Sequence, residues 1–164
     1  MLRRKKKMTL LIIGIALIAA AAIGGVWWYL ALFHGCNPPL PRRTITVGGT
    51  MFDVEMATTM VEQSCGLSGR ESLADGQGML FVFGSGSTQN FWMKDMNFAL
   101  DMVWISGNQV AGFAQDVPPP APGTQLWQLK IYTSPPNVDK VLEVPAGTVA
   151  KDGLAVGDAV TISP

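Results

Sequence analysis

Histidine is almost missing from this chain, whose 164 residues contain a single one, His34. A Ser-His-Asp triad within one chain and any His-rich metal site are thereby excluded. Cysteine is nearly as scarce. Cys36 and Cys65 lack CxxC spacing, so neither a zinc knuckle nor a thioredoxin-type dithiol is available. Charged residues make up only 15% against 48% hydrophobic residues, which excludes a disordered tail and a basic nucleic-acid-binding protein. Gly84-Ser-Gly-Ser lacks the Gly-Lys-Ser/Thr ending of a phosphate loop, and Ser-x-x-Lys occurs nowhere. No repeat at solenoid spacing is present. No cofactor and no metal is expected.

What charge there is lies unevenly. The formal net charge is zero, but Arg3, Arg4, Lys5, Lys6 and Lys7 hold five of the 12 basic residues. The rest of the chain has 7 basic against 12 acidic residues, a net −5, which disfavours nucleic acid as a partner. Behind the basic tail, Met8 to Phe33 runs for 26 residues without a charge, and 22 of them are apolar. Such a run spans a bilayer with some tilt. Trp27, Trp28, Tyr29 and Phe33 stand at its far end, where rings favour the interface, and the positive-inside rule places the N-terminus in the cytoplasm and the remainder outside.

A cleaved signal peptide also starts with a basic stretch and an apolar stretch. Its apolar region is shorter and ends at a small-x-small site, whereas this run ends Leu32-Phe33-His34-Gly35, so an uncleaved single-pass anchor is expected. Bulky Phe33 and His34 also speak against lipidation at Cys36. Small residues between Gly14 and Ala22 could pack two helices, although lipid-facing alanine is the plainer explanation.

The chain thus divides into a cytoplasmic basic tail (1–7), a transmembrane helix (8–33), a stiff Pro-rich linker (34–43) and an extracytoplasmic domain (44–164). Thr44-Ile-Thr-Val and Thr50 to Met56 flank Gly48-Gly49, the pattern of a hairpin. Thr59 and Glu62 have capping-box spacing for a short helix that ends at about Cys65 and is stopped by Gly66. Strand-length runs follow at 78–83, 90–93, 100–105, 109–114, 126–133 and 138–144, with a last one in 155–162. The pattern predicts a mainly β (α+β) domain, a compact, barrel-like antiparallel or mixed sheet with one or two short helices. The Pro-rich loop 117–123 is too stiff for either regular state. An oxidising location permits a Cys36–Cys65 disulfide, with a free buried Cys65 as the plainer alternative.

One ordered set of motifs stands out: Glu62-Gln-Ser-Cys-Gly-Leu-Ser-Gly-Arg70-Glu-Ser-Leu, Gly78-Met-Leu-Phe-Val-Phe83, Phe91-Trp-Met-Lys94 and Leu100-Asp101-Met-Val-Trp-Ile105. With Val141 to Gly147 and Gly153 to Asp158, it resembles the domain-of-unknown-function 192 family, also called uncharacterised protein family 0127, over about residues 45–162. The resemblance implies a single β-rich domain, often behind a signal peptide or anchor, and no settled activity. Arg70, Trp92, Lys94 and Asp101 match the family pattern. Cys65 stands where the family usually has Arg, Ser68 where it has Met, and Ala99 where Pro is common.

If Phe91 to Lys94 is a strand, Trp92 and Lys94 share one face, and a turn at Asp95-Met-Asn97 returns Asp101 near Lys94. Charges set in apolar strands need partners, so the bland expectation is a structural Lys94–Asp101 ion pair, joined by Glu143 or Arg70. The functional expectation is one pocket built from Arg70, Trp92, Lys94, Asp101 and Glu143, with the indole stacking on a ligand and the cations receiving a carboxylate, phosphate or sugar hydroxyl. Trp104 and Trp127 are expected in the core. Function then follows one of three lines: a binding or accessory module for a small polar or cell-envelope ligand, carbohydrate or protein; a hydrolase with Asp101 and Glu143 as acid/base pair, for example glycoside-cleaving; or an interaction scaffold. Catalytic residues are not assigned, and the sequence does not decide whether the protein is an enzyme.

Overall fold

The computed structural model describes Cys36 and residues 39–163. The expected basic tail and transmembrane helix lie outside the described residues, as does part of the linker. No helix among the described residues is long and apolar enough to cross a membrane.

Seven strands form one mixed sheet. They are β1 (Arg42–Val47), β2 (Thr50–Ala57), β3 (Gln77–Ser87), β5 (Leu100–Ser106), β6 (Gln109–Val117), β8 (Val138–Pro145) and β9 (Val160–Ile162), in the order β6-β5-β8-β3-β2-β1-β9. β4 (Asn90–Phe91) and β7 (Tyr132–Thr133) pair separately. The expected hairpin forms: Ile45 faces Phe52 and Val47 faces Thr50 across the Gly48-Gly49 turn, both glycines at positive φ. β2 and β3 are parallel, which requires a crossover, and the crossover carries helix α1 (Met60–Cys65). The sheet curls into a half-barrel. At one end β6 meets the segment before β9 through a Gln109–Ala159 bridge, with Val110 N–H donating to Asp158 O at 2.9 Å and Val160 N–H to Asn108 O at 2.8 Å.

Both faces of this sheet are covered. Ile45, Phe52, Val54, Leu80, Val103 and Leu142 fill the concave side, where helix α2 (Thr148–Lys151) and Leu154 complete the packing. The convex side carries Met79, Phe81, Met102, Trp104 and Val141, roofed by Leu67, Met93 and Met96 from the loops around α1 and after β4. Two-sided burial explains why β3, β5 and β8 read as nearly continuous apolar runs rather than alternating ones.

The 126–133 run is not the expected strand. Leu126–Gln128 is a 3₁₀ turn, closed by Gln125 N–H donating to the Gln128 side chain at 2.9 Å, and only Tyr132 and Thr133 join a ladder. Trp127, expected in the core, is 81% exposed on this turn, whereas Trp104 is buried as expected. Cys36 and Cys65 are both disulfide-bonded, which displaces the reading of Cys65 as a free thiol.

Candidate functional site

A capping box starts α1. Thr59 N–H donates to a Glu62 carboxylate oxygen at 2.8 Å, and Glu62 N–H returns to Thr59 Oγ1 at 3.3 Å. The backbone N–H groups of Thr59 and Thr58, both donating to this carboxylate, hold the Glu62 carboxyl below its ordinary range. Gly66 ends the helix at φ 50°, and a Cβ there would press within 3.2 Å of the Phe81 ring. The Gln63 amide donates to Val82 O at 2.7 Å and fastens α1 to β3.

Past the helix, the chain is stitched to the loop after β4. Ser68 Oγ donates to Lys94 O at 2.9 Å, Gly69 N–H to Asp95 O at 2.7 Å, and Asn97 Nδ2 to Arg70 O at 2.8 Å. Asp95 accommodates the turn at φ 55°, a conformation that Asp tolerates better than most residues. β4 is held to the sheet by Phe91, whose ring meets Phe81 edge-on at 5.0 Å and Trp104 at 5.7 Å. Between this roof and the sheet lies a cleft of about 250 Å³. Phe81, Phe83, Phe91 and Trp92 supply aromatic walls. Gln63, Ser64, Asn90 and Lys94 supply polar groups, and Glu143 and Met96 line it from within.

Three of the five anticipated residues meet here: Trp92, 48% exposed, Lys94 and Glu143. Trp92 and Lys94 both line the cleft, but so does Phe91, and β4 already ends at Phe91, so the strand alternation expected over Phe91 to Lys94 does not place them. Lys94 Nζ pairs with its neighbour Asp95 at 2.6 Å rather than with Asp101. Glu143 is 5% exposed, lies opposite Met79 and Met102 on the adjacent strands, and receives no hydrogen bond or ion pair from another described residue. Loss of water pushes its carboxyl up to about 8.

Arg70 and Asp101 belong elsewhere. Arg70 clamps Glu55 with both terminal nitrogens, at 2.7 and 2.6 Å, and Arg42 adds a longer contact of 3.5 Å. That fork lowers the Glu55 carboxyl despite its burial. Asp101, 1% exposed, accepts from Asp116 N–H at 2.7 Å and from Val149 N–H at 2.9 Å, so its place is taken by two backbone donors. Its register partner is Val144, next to Glu143 in the same strand, and successive side chains point to opposite faces. Asp101 and Glu143 therefore share no cleft, and the acid/base pair required by the hydrolase reading does not form.

Phe81, Phe83, Gln63 and Asn90 line the cleft in addition to the residues expected from sequence. The alternation Met79, Phe81, Phe83 inside the Gly78–Phe83 motif is the sequence signal for the two phenylalanines; Gln63 and Asn90 have none. Among the described residues, no group of three His, Cys, Asp or Glu side chains is placed to hold a metal ion.

The architecture is thus a half-barrel whose convex face and roof enclose a small aromatic cleft with one buried acid. Residues 43–162 match the model of the DUF192 family, described as an uncharacterized ACR, and the chain belongs to that family. Two crystal structures share the fold. One, from Sinorhizobium meliloti and named as a candidate transcription regulator, has a TM-score of 0.68 and 26% identity, covering 77% of this chain and 97% of its own. The other, a protein of unknown function from Novosphingobium aromaticivorans, has a TM-score of 0.67 and 28% identity, covering 74% and 86%. No curated protein shows significant similarity to the chain.

Proposed function

We propose that this protein is a membrane-tethered binding module that holds a small, polar, ring-bearing ligand of the cell envelope in the cleft between roof and sheet. The observation that carries this reading is the convergence of Trp92, Lys94 and Glu143 on one concave surface. An indole half open to solvent offers a face for a sugar or aromatic ring, while Lys94 and Asn90 offer directional polar contacts. The tether rests on the uncharged 8–33 run behind five basic residues. Two disulfide-bonded cysteines support an oxidising, extracytoplasmic location for the domain. The regulator label of the Sinorhizobium relative would suggest nucleic acid, but the net −5 charge from His34 onward disfavours a phosphate backbone.

The test is a nuclear magnetic resonance titration of the full chain, in a polyoxyethylene detergent, against neutral and charged monosaccharides and small aromatic compounds. Shifts centred on Trp92, Lys94 and Asn90, reduced by Trp92→Ala, are expected. A panel that perturbs none of these signals contradicts the reading. Location is tested separately by protease added outside intact spheroplasts, which should digest residues 44–164 and spare the tail.

A further inference from the structure

The protein buries two glutamates on the convex face of its sheet and treats them differently. Register places Glu55 opposite Met79, and Met79 opposite Glu143, so the two acids stand in one cross-strand row. Glu55 has its own cation, the Arg70 fork. Glu143 is withdrawn further from water, yet its strand neighbours Met79 and Met102 bring no charge and no strong donor. A buried carboxyl in that condition either stays protonated or finds a cation.

The surroundings decide which kind of ligand suits it. Lys94 is the other titratable side chain lining the cleft, and it is held by Asp95 at 2.6 Å, so the mouth is close to neutral and Glu143 is left without a balancing charge. α1 and β3 contribute only uncharged side chains to the cleft, and Cys65 does not titrate because it is disulfide-bonded. An anionic ligand would meet no unpaired cation inside. The aromatic faces of Phe81, Phe91 and Trp92 carry negative quadrupoles, which attract ammonium groups and repel anions.

We infer that the cleft is an organic-cation site, taking the ammonium group of a small amine against the Glu143 carboxylate while Phe81, Phe91 and Trp92 enclose its carbon frame. This rests on the reading of the cleft as the ligand site, and it names the class of ligand. The proton balance is explicit. Below its ionisation range Glu143 is a carboxylic acid; the ligand enters as R–NH₃⁺, the Glu143 O–H proton leaves to the buffer, and the bound state is the carboxylate–ammonium pair. Supply of the proton-free carboxylate is easier at higher pH, so affinity rises as the solution approaches the Glu143 ionisation near pH 8.

Two matched pairs test this by calorimetry with the full chain in a polyoxyethylene detergent: benzylamine against benzyl alcohol, and glucosamine against glucose. At least one amine should bind about tenfold or more tightly than its neutral partner, and titration in two buffers of different ionisation enthalpy should show close to one proton released per amine bound at pH 7. Glu143→Gln, which keeps the shape and removes the charge, should abolish both the preference and the proton release. Equal binding of amine and neutral partner, no binding of either amine, or binding without proton release overturns the inference. If the neutral panel still shifts the cleft signals, the broader binding function stands; if nothing does, both fall.

Discussion

Glu55 and Glu143 stand in one cross-strand row with Met79 between them, and Arg70 neutralises the first while nothing among the described residues neutralises the second. At the strand spacing of a sheet their backbones are roughly 10 Å apart. One environment holds a carboxyl down and the other pushes its neighbour up to about 8. Such a split accords with the proposal that Glu143 answers to a ligand while Glu55 belongs to the frame.

Glu143 makes stability fall as pH rises. Its folded ionisation lies near 8, above its unfolded value, so its contribution is fully present below the unfolded value and is lost progressively up to about pH 8. The whole swing is about 5 kcal/mol at most, from roughly 1.4 kcal/mol per unit. Denaturant titrations of wild type and Glu143→Gln at a series of pH values should show this slope in wild type alone, with the variant more stable at pH 8. Parallel profiles would contradict it.

Arg70→Met should destabilise the fold by about 2 kcal/mol, because it removes the bidentate partner of a mostly buried Glu55 and leaves it the longer Arg42 contact and a backbone hydrogen bond from Leu40. Adding Glu55→Gln should recover much of that loss. Glu55 also has the opposite pH sign from Glu143. Its lowered folded value gives stability present above the unfolded value and lost as pH falls through the folded one, a loss that Arg70→Met should flatten. Urea titrations of the single and double variants at neutral and acid pH measure both effects.

Asp101→Asn should cost about 1–3 kcal/mol, since one of the two backbone N–H groups that Asp101 accepts would then face an NH₂. It should leave ligand binding unchanged. Chemical denaturation combined with the cleft titration distinguishes this framework role from the pocket role expected for Asp101 beforehand.

The local devices were legible because they are short-range. The Gly48-Gly49 turn, the Thr59/Glu62 capping box and Gly66 each need only residues a few positions apart. The candidate site was legible in part. Trp92, Lys94 and Glu143 converge, but Lys94 found Asp95 next door, and Asp101 was claimed by backbone donors from Asp116 and Val149, pairings that depend on how β6 and α2 approach β5. Glu55 alternates with Phe52 and Val54, a pattern that puts it on the side facing water in a one-sided sheet, and here that side is roofed. The Leu126–Trp127 run departs from expectation for a related reason: apolar residues of strand length predict burial, and these lie exposed on a 3₁₀ turn.

Trp92→Ala should change stability by no more than about 0.5 kcal/mol, because the indole is nearly half exposed. Ligand affinity should drop up to about tenfold, the scale of one lost aromatic contact. Thermal unfolding without ligand and calorimetry with benzylamine separate the two effects.

The most direct measurement follows the Glu143 side-chain carboxyl carbon by ¹³C nuclear magnetic resonance at pH 7, with and without saturating benzylamine. The carboxyl should be protonated alone, titrate near pH 8, and move to the carboxylate position when the amine is added. A Glu143 already ionised at pH 7 without ligand, or one whose signal ignores the amine, would contradict the assignment of this cleft to an organic cation.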